Sequence, residues 1–249
     1  MSNIEKVGQQ ASKTKGILCD FLTLLSEKEQ IEFRAAFHIR PTSTGNSTII
    51  STLPIAPMRG LKVQNNELNT KLEELRKTLG ENDDKKLEIL EDKGFNERKS
   101  ASHREEDAQA ALIRDLILNP KEYNHLQFVA SEFELFGYGD KADKTKRPDV
   151  LAFDRKNGVL FDIELKNERL TETVKQASGY VKHIKDHLSE YAKCLYQFPN
   201  CSIESIKTVK GIALVPYSEK SGGGLEKASK ELDIELWFFA KQFQIIKGK

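Results

Sequence analysis

Residues 148–166, PDVLAFDRKNGVLFDIELK, decide the fold. They contain two short runs of mainly apolar residues, Asp149–Phe153 and Val159–Leu165, which have the length and composition of strands. The polar segment between the runs ends in Asn157-Gly158, a pair that favours a tight turn between antiparallel strands. The sequence therefore predicts a β-hairpin.

Charged side chains collect at one end of this hairpin. Because successive residues of a strand point to opposite faces of a sheet, Glu164 and Lys166 share a face with Asp162, and Leu165 points to the other face. The hairpin also brings Asp149 beside Glu164 on the neighbouring strand. Two carboxylates and an ammonium group are therefore expected to meet at one sheet edge.

This set of groups suits metal-assisted hydrolysis of phosphodiesters. Asp149 and Glu164 can bind Mg²⁺, for which Mn²⁺ can substitute, with water, a phosphate oxygen and the Leu165 carbonyl as further ligands. Such a metal offsets developing negative charge and helps to generate hydroxide. Lys166 can orient or deprotonate the attacking water and stabilise the charged transition state. The alternative interpretation is an ion-paired, solvated face of a sheet.

The segments around the hairpin predict an α/β fold. From about residue 101, helical and extended patterns alternate in the order αβββαβ(α)β, which is typical of a mixed sheet flanked by helices. The expected elements are a helix over 104–118, a β-segment over 126–136, the two hairpin strands, a long helix over 168–196, a strand over 209–215, a short helix over 225–232 and a strand over 234–239.

Pro148-Asp149 followed by Glu164-Leu165-Lys166 resembles the signature of the PD-(D/E)XK nuclease superfamily, and the element order resembles the core of that family. The resemblance covers roughly residues 103–240. It implies a restriction-endonuclease-like core and a metal-dependent deoxyribonuclease. A member of the family that has kept the fold without catalysis is the alternative.

Two further positions extend the resemblance. Gln176 and Tyr180 form a QxxxY pattern like the one that follows the lysine strand in RecB-like members. Residues four apart share a helix face. The resemblance implies that both side chains face the site. There they would hold either the side of the site that carries Lys166 or the substrate backbone.

The preceding helix contains Glu105-Glu106, where many members of the superfamily place a glutamate that binds the metal or holds a water. Helical periodicity does not choose between the two. The run Glu106-x-x-Gln109, in a helix that ends at Asn119-Pro120, resembles the leader helix of Shedu-type defence nucleases. That resemblance favours Glu106.

Basic and imidazole groups near this site are candidates for nucleic-acid contact. Lys144, Lys146 and Arg147 directly precede Asp149, so they either contact phosphate or form a solvated loop. His183 lies on the helical stripe of Gln176 and is either a surface residue or a further contact to nucleic acid.

The first hundred residues are expected to form a mainly helical region. A helix is predicted over 17–38 and a loop or small hairpin over 41–60. Leucines at mostly three- and four-residue spacing over 61–79 then predict an amphipathic helix with coiled-coil character, followed by a shorter helix near 87–90. These helices either pack on the main domain or form an arm for dimerisation or DNA contact. The predicted division is 1–100 for recognition or dimerisation and 101–249 for the nuclease domain.

The overall charge excludes a polycation but not a local phosphate-binding surface. The chain of 249 residues has 39 Lys and Arg against 38 Asp and Glu, a net charge of +1. Residues 101–140 carry eight acidic and three basic residues, a local −5, whereas residues 141–147 carry four basic and one acidic, a local +3. The near-zero net charge of the chain therefore conceals an acidic segment and a basic segment that follow one another.

Localisation and partners follow from what the sequence lacks. No apolar run approaches the ~18 residues of a membrane span, the start does not resemble a signal peptide, and three cysteines without CxxC spacing suit a reducing compartment. The sequence predicts a cytoplasmic protein that binds DNA, makes no membrane contact and forms a homodimer or a higher homo-oligomer. The expected role is restriction or phage defence. The alternatives are a repair or recombination nuclease and a non-catalytic DNA-binding or assembly module.

Overall fold

The computed structural model describes residues 2–53, 59–80, 103–123, 125–136, 146–166, 168–217, 223–239 and 245–247. Its helices are α1 (Asn3–Thr23), α2 (Glu27–Ala36), α3 (Asn65–Leu79), α4 (His103–Leu118), α5 (Leu170–Asp186), α6 (Leu188–Leu195) and α7 (Gly223–Leu232). Its strands are β1 (Phe37–Pro41), β2 (Ser47–Ser51), β3 (Arg59–Val63), β4 (Leu126–Ser131), β5 (Val150–Asp154), β6 (Val159–Leu165), β7 (Thr208–Pro216), β8 (Ile234–Phe239) and β9 (Ile245–Lys247). Across these ranges, no helix has both the length and the apolar character to cross a membrane.

A mixed sheet of six strands in the order β4-β5-β6-β7-β8-β9 forms the centre of the C-terminal region. The pairs β4–β5, β5–β6 and β8–β9 are antiparallel, and the pairs β6–β7 and β7–β8 are parallel. The expected hairpin is present as β5 and β6, joined by a turn in which Gly158 has φ 68°. The α/β expectation is thus confirmed at the level of a mixed sheet with flanking helices.

Helices cover the two faces of this sheet and separate its side chains into two cores. The alternating residues Ile163 and Leu165 of β6 pack in one core with Leu112 of α4. On the other face, Leu160 packs with Ala177 and other residues of α5. The strand alternation of β6 therefore places Asp162 and Glu164 on the α5 side.

The expected long helix over 168–196 is wrong in one detail. The structure has two helices, because α5 ends at Asp186 and α6 begins at Leu188. His187 lies between them with φ −118° and ψ 26°, outside helical geometry. The expected β-segment over 126–136 is also shorter, since β4 ends at Ser131.

The N-terminal region contains a sheet that the sequence analysis did not predict in full. Strands β1, β2 and β3 pair as an antiparallel sheet, where a loop or small hairpin was expected. The single helix over 17–38 is also wrong. A capping box at Ser26 starts a second helix, and Phe37 and His38 already belong to β1. The shorter helix expected near 87–90 lies outside the described residues.

Helix α3 packs into this N-terminal core along its leucine stripe. Leu68, Leu72 and Leu75 are at most 1% exposed and share a cluster with Phe21 and Phe33. A buried polar network ties the same elements together, since the Gln10 amide of α1 donates to Asn65 at 2.6 Å and to Ser47 at 3.1 Å. The stripe thus serves packing within the chain.

Polar contacts join the N-terminal region to the β4 edge of the six-stranded sheet. The His38 Nε2 lies 2.6 Å from the Ser131 hydroxyl, and Arg40 forms an ion pair with Glu132. The Asn200 amide bridges the two parts by donating to the carbonyl oxygens of Ile39 and Val129, at 3.1 and 3.0 Å.

A close approach of α5 to the sheet at Gly211 gives a stability prediction. A Cβ at this position of β7 would lie 2.5 Å from Cδ1 of Ile234 and 3.0 Å from Cγ2 of Val181. Because both neighbours are buried, we expect Gly211→Ala to lower the free energy of unfolding by about 1–3 kcal/mol, as measured by denaturant titration. Gly224→Ala is the control, since nothing lies within 4 Å of a Cβ there. Equal stabilities of the two variants would contradict the prediction.

Candidate active site

The β5–β6 hairpin brings Asp149 and Glu164 into direct contact. Val150 pairs with Ile163 in the antiparallel register, which sets Asp149 opposite the end of β6. The Asp149 backbone N–H donates to Oε1 of Glu164 at 3.1 Å, and the Leu165 N–H donates to Oδ2 of Asp149 at 2.8 Å. Each carboxylate is therefore oriented by the backbone of the strand that carries the other.

Helix α5 contributes Gln176 and Tyr180 to the same site. The Gln176 Nε2 donates to Oε2 of Glu164 at 2.6 Å and lies 3.0 Å from the Tyr180 hydroxyl. Tyr180 is 3% exposed. Burial, and then the neighbouring Glu164 charge, raise the pKa of Tyr180, so the phenol stays protonated.

Lys166 reaches from the end of β6 toward the first turn of α4. Its Nζ donates to Oε1 of Glu105 at 2.6 Å and lies 3.9 Å from Oδ2 of Asp149. The resemblance to a leader helix favoured Glu106, whereas Glu105 is the glutamate that contacts the lysine. Glu106 lies next to it on α4 and is 9% exposed.

The backbone of Asp149 is held from two sides. Its carbonyl oxygen accepts a hydrogen bond from the Gln109 amide at 2.6 Å and from the Glu132 N–H at 3.2 Å. Glu132 has φ 47°, a left-handed conformation that is uncommon for a residue with a side chain. Its carboxylate is anchored by the ion pair with Arg40. The strained position therefore lies directly beside the candidate site.

The electrostatics of the site raise the pKa values of two of its carboxyl groups. Glu164 is fully buried, and burial followed by the charges of Asp149 and Asp162 raises its pKa well above the usual value. Asp162 is also fully buried, and burial followed by the Asp149 charge raises its pKa in the same way. A bound cation would relieve this repulsion.

Lys166 carries its proton under the same conditions. Burial lowers its pKa, but the neighbouring carboxylates of Asp149, Glu105 and Glu164 outweigh burial, so the pKa of the ammonium group lies above its usual value. A protonated lysine can donate hydrogen bonds and offset negative charge, whereas it cannot accept a proton from water. This arrangement assigns Lys166 an electrostatic and orienting role.

Asp162 belongs to this cluster, although its place on the strand face was the only sign of it in the sequence. It lies two residues before Glu164 and opposite Gly211 of β7. Asp162 and Glu164 are the two acidic residues of an otherwise apolar strand, and such a pair is a signal in itself because burying carboxylates is costly. The contact of the Gln109 amide with Asp149 had no comparable signal.

The donor set fits a hard divalent cation. Mg²⁺ is commonly held in proteins by one or two carboxylates together with water and substrate phosphate oxygens, and Asp149 and Glu164 supply such a pair. Across the described ranges, no three His, Cys, Asp or Glu side chains form a cluster that could by itself hold a metal ion. The Leu165 side chain is buried in the core with α4, so only its backbone could serve as a ligand.

The basic candidates have different surroundings. Lys144 lies outside the described residues. Lys146 is exposed and forms an isolated bridge with Leu135. The guanidinium of Arg147 donates to Oε1 of Glu134 at 2.8 Å and is partly exposed, so a phosphate would have to compete with that carboxylate.

His183 makes contacts within the protein. Its Nε2 lies 3.1 Å from the Phe136 carbonyl oxygen and 3.0 Å from the Tyr191 hydroxyl, and its ring lies 4.8 Å from that of His187. Burial lowers the pKa of His183, so it is mainly neutral at neutral pH. His183 therefore packs against neighbouring residues of the chain, and a contact with nucleic acid would be an additional one.

Comparisons with protein-family models, with curated proteins and with solved structures find no match for the chain. The chemistry of the site is therefore argued from its own groups. Two adjacent carboxylates, a protonated lysine and a glutamine amide lie where β5 begins and β6 ends. These groups suit the binding of a cation and a polyanionic substrate.

Proposed function

We propose that the chain is a Mg²⁺-dependent nuclease of the PD-(D/E)XK type, with a restriction-endonuclease-like core, that hydrolyses phosphodiester bonds of DNA. The observation that carries the proposal is the convergence of Asp149, Glu164 and Lys166 at the end of β5 and β6, with Gln176 hydrogen-bonded to Glu164 at 2.6 Å. The residues in contact are 12 to 17 positions apart in the sequence, so the fold brings them together and not their closeness along the chain.

Each residue has a distinct role in the proposed reaction. Asp149 and Glu164 would hold the metal, which neutralises the charge that develops on the phosphate and lowers the pKa of a bound water. Gln176 fixes the Glu164 carboxylate through Oε2. Lys166, held in its charged form by Glu105 and Asp149, orients the attacking water and stabilises the negative charge of the transition state.

The sequence before Asp149 and the charge of a bound metal both favour a polyanionic substrate. Residues 141–147 carry a local charge of +3 directly before Asp149, and a bound Mg²⁺ adds to the attraction for phosphate. Restriction or phage defence is the proposed role. The assay below separates it from repair or recombination and from a non-catalytic DNA-binding or assembly module.

A cleavage assay tests the proposal. The purified chain is incubated with supercoiled plasmid and with labelled single-stranded DNA, in Mg²⁺ and in EDTA. We expect cleavage in Mg²⁺ and none in EDTA, since the carboxylates alone do not supply the metal's charge. Discrete fragments would support a restriction-type endonuclease, and progressive loss from ends would favour a repair or recombination exonuclease. Retained DNA binding without cleavage in Mg²⁺ or Mn²⁺ would contradict the nuclease and favour the module.

A further inference from the structure

A cavity lies at the opposite end of the six-stranded sheet from the candidate active site. It has a volume of about 330 Å³, within the ~300–1,000 Å³ of small-molecule sites. Its wall includes Gln127 at the start of β4 and Arg155 in the β5–β6 turn. Asp149 lies six residues before Arg155, so the two sites are roughly 20 Å apart along the strand at about 3.3 Å per residue.

The cavity forms where α2 of the N-terminal region meets this end of the sheet. Arg34 of α2 lines it, and so do Leu116 and Ile117 near the end of α4. The connection between α6 and β7 closes it with Cys201 and neighbouring residues. Because its walls come from elements distant in sequence, the cavity is a product of the whole fold.

Arg34 is the charged group in this cavity that lacks a counter-ion. Its Nε is buried and has no hydrogen-bond partner. Among the residues that the structure describes, no carboxylate lies within ion-pair distance of the Arg34 guanidinium. The Arg34 side chain as a whole is only partly buried and lines the cavity, so its guanidinium can present its outer nitrogens to an anion there, which would supply the missing counter-ion.

Arg155 is the second basic group of the cavity, and the polar groups beside it are neutral. Arg155 donates to Glu204 at 2.7 Å, but both side chains are more than half exposed, so the pair is weak and the arginine remains available. Burial raises the pKa of Cys201 to about 11, so it is a neutral thiol that donates to Oε1 of Gln127 at 3.0 Å. No acidic side chain appears among the described residues that line the cavity.

Apolar walls define the rest of the ligand. Ile31, Leu116, Ile117 and Phe128 line the cavity together with the polar groups. Ile31 is 48% exposed at the rim, which is unusual for a large aliphatic side chain. An inorganic ion would leave these surfaces wet, whereas a ligand with an apolar body would cover them.

We propose that this cavity binds a small organic anion, with one phosphate or carboxylate group on Arg34 and Arg155 and an apolar body against Ile31, Ile117 and Phe128. The site does not depend on the proposed nuclease activity. It shares α4 with the candidate active site, since Glu105 stands in the first turn of that helix and Ile117 near its end.

Calorimetric titration of the full chain tests the site with four probes: phenyl phosphate, benzoate, inorganic phosphate and phenol. We expect phenyl phosphate or benzoate to bind at least about tenfold more tightly than both phenol and inorganic phosphate, because only an organic anion uses the arginines and the apolar walls together. Comparison of the two organic anions identifies the preferred head group. No binding of either one, or equal binding of phenol, would overturn the proposal.

Variants locate the binding. Arg34→Gln should weaken the better probe at least about tenfold, while Lys28→Gln, which removes a charge from an 85% exposed side chain of the same helix, should leave it unchanged. Ser202→Trp places a large side chain at the exposed rim and should also block binding without disturbing the core. Unchanged affinity in both Arg34→Gln and Ser202→Trp would refute this location.

Discussion

A Lys166→Ala variant is expected to cleave DNA about 10²–10³-fold more slowly than the wild-type chain, because it loses the charged group aimed at the developing negative charge. Asp149→Ala should lower the rate at least as far, since it removes one of the two proposed metal ligands. Duplex binding in EDTA, measured by fluorescence anisotropy of a labelled oligonucleotide, should be largely retained in both variants. Rates are to be compared in Mg²⁺ at equal enzyme concentration.

The matched control is Lys156→Ala. Lys156 is exposed in the β5–β6 turn, at the other end of the hairpin from Asp149, so its loss changes the net charge equally without touching the site. Melting temperatures of all variants establish that they are folded. A Lys166→Ala variant that cuts at the wild-type rate would show that the proposed mechanism is wrong.

The affinity for Mg²⁺ is expected to rise steeply with pH. Burial and mutual repulsion raise the pKa values of Glu164 and Asp162, so the metal-free site holds protons to a higher pH than an exposed carboxyl would. Metal binding must displace these protons, and each one displaced strengthens binding about tenfold per pH unit. The Mg²⁺-induced rise in melting temperature should therefore grow as the pH is raised above the usual titration range of carboxyl groups.

Titrations in two buffers of different ionisation enthalpy count the released protons directly. Glu164→Gln should abolish the Mg²⁺ effect, because it removes a ligand. Asp162→Asn should retain it with a shallower pH dependence, because one titrating carboxyl is lost and the pKa of Glu164 is lowered. Affinity that does not change with pH in the wild-type chain would contradict the raised pKa values.

The sequence could predict the features of the site that depend on the alternation of strands and the spacing of helices. Strand alternation and the polar turn segment over 154–158 were enough to bring Asp149 beside Glu164. Helical spacing was enough to put Gln176 and Tyr180 on one face, and the structure adds their contact with Glu164. The nuclease chemistry itself remains a prediction until cleavage is measured.

The part that sequence could not predict depends on contacts between distant segments. Strand β3 (Arg59–Val63) has no strong strand pattern of its own, and the leucine spacing that begins at Leu61 favoured a helix, so the pairing of β3 with β2 was missed. Periodicity could not decide between Glu105 and Glu106, because the reach of Lys166 off the end of β6 is set by tertiary packing. The full burial of Asp162 likewise follows from the close approach of α5 at Gly211.

Helix α1 is shared between two hydrophobic cores. Ile4 and Val7 in its first half pack in the core that contains residues of α6, whereas Leu18 and Phe21 in its second half pack with α2 and α3. Cutting the chain near residue 100 would therefore remove apolar cover from the C-terminal region as well as the N-terminal region itself. If such a truncation lost activity, the loss would reflect a destabilised fold and would say nothing about how a target is selected. Target selection has to be tested by surface substitutions in the intact chain.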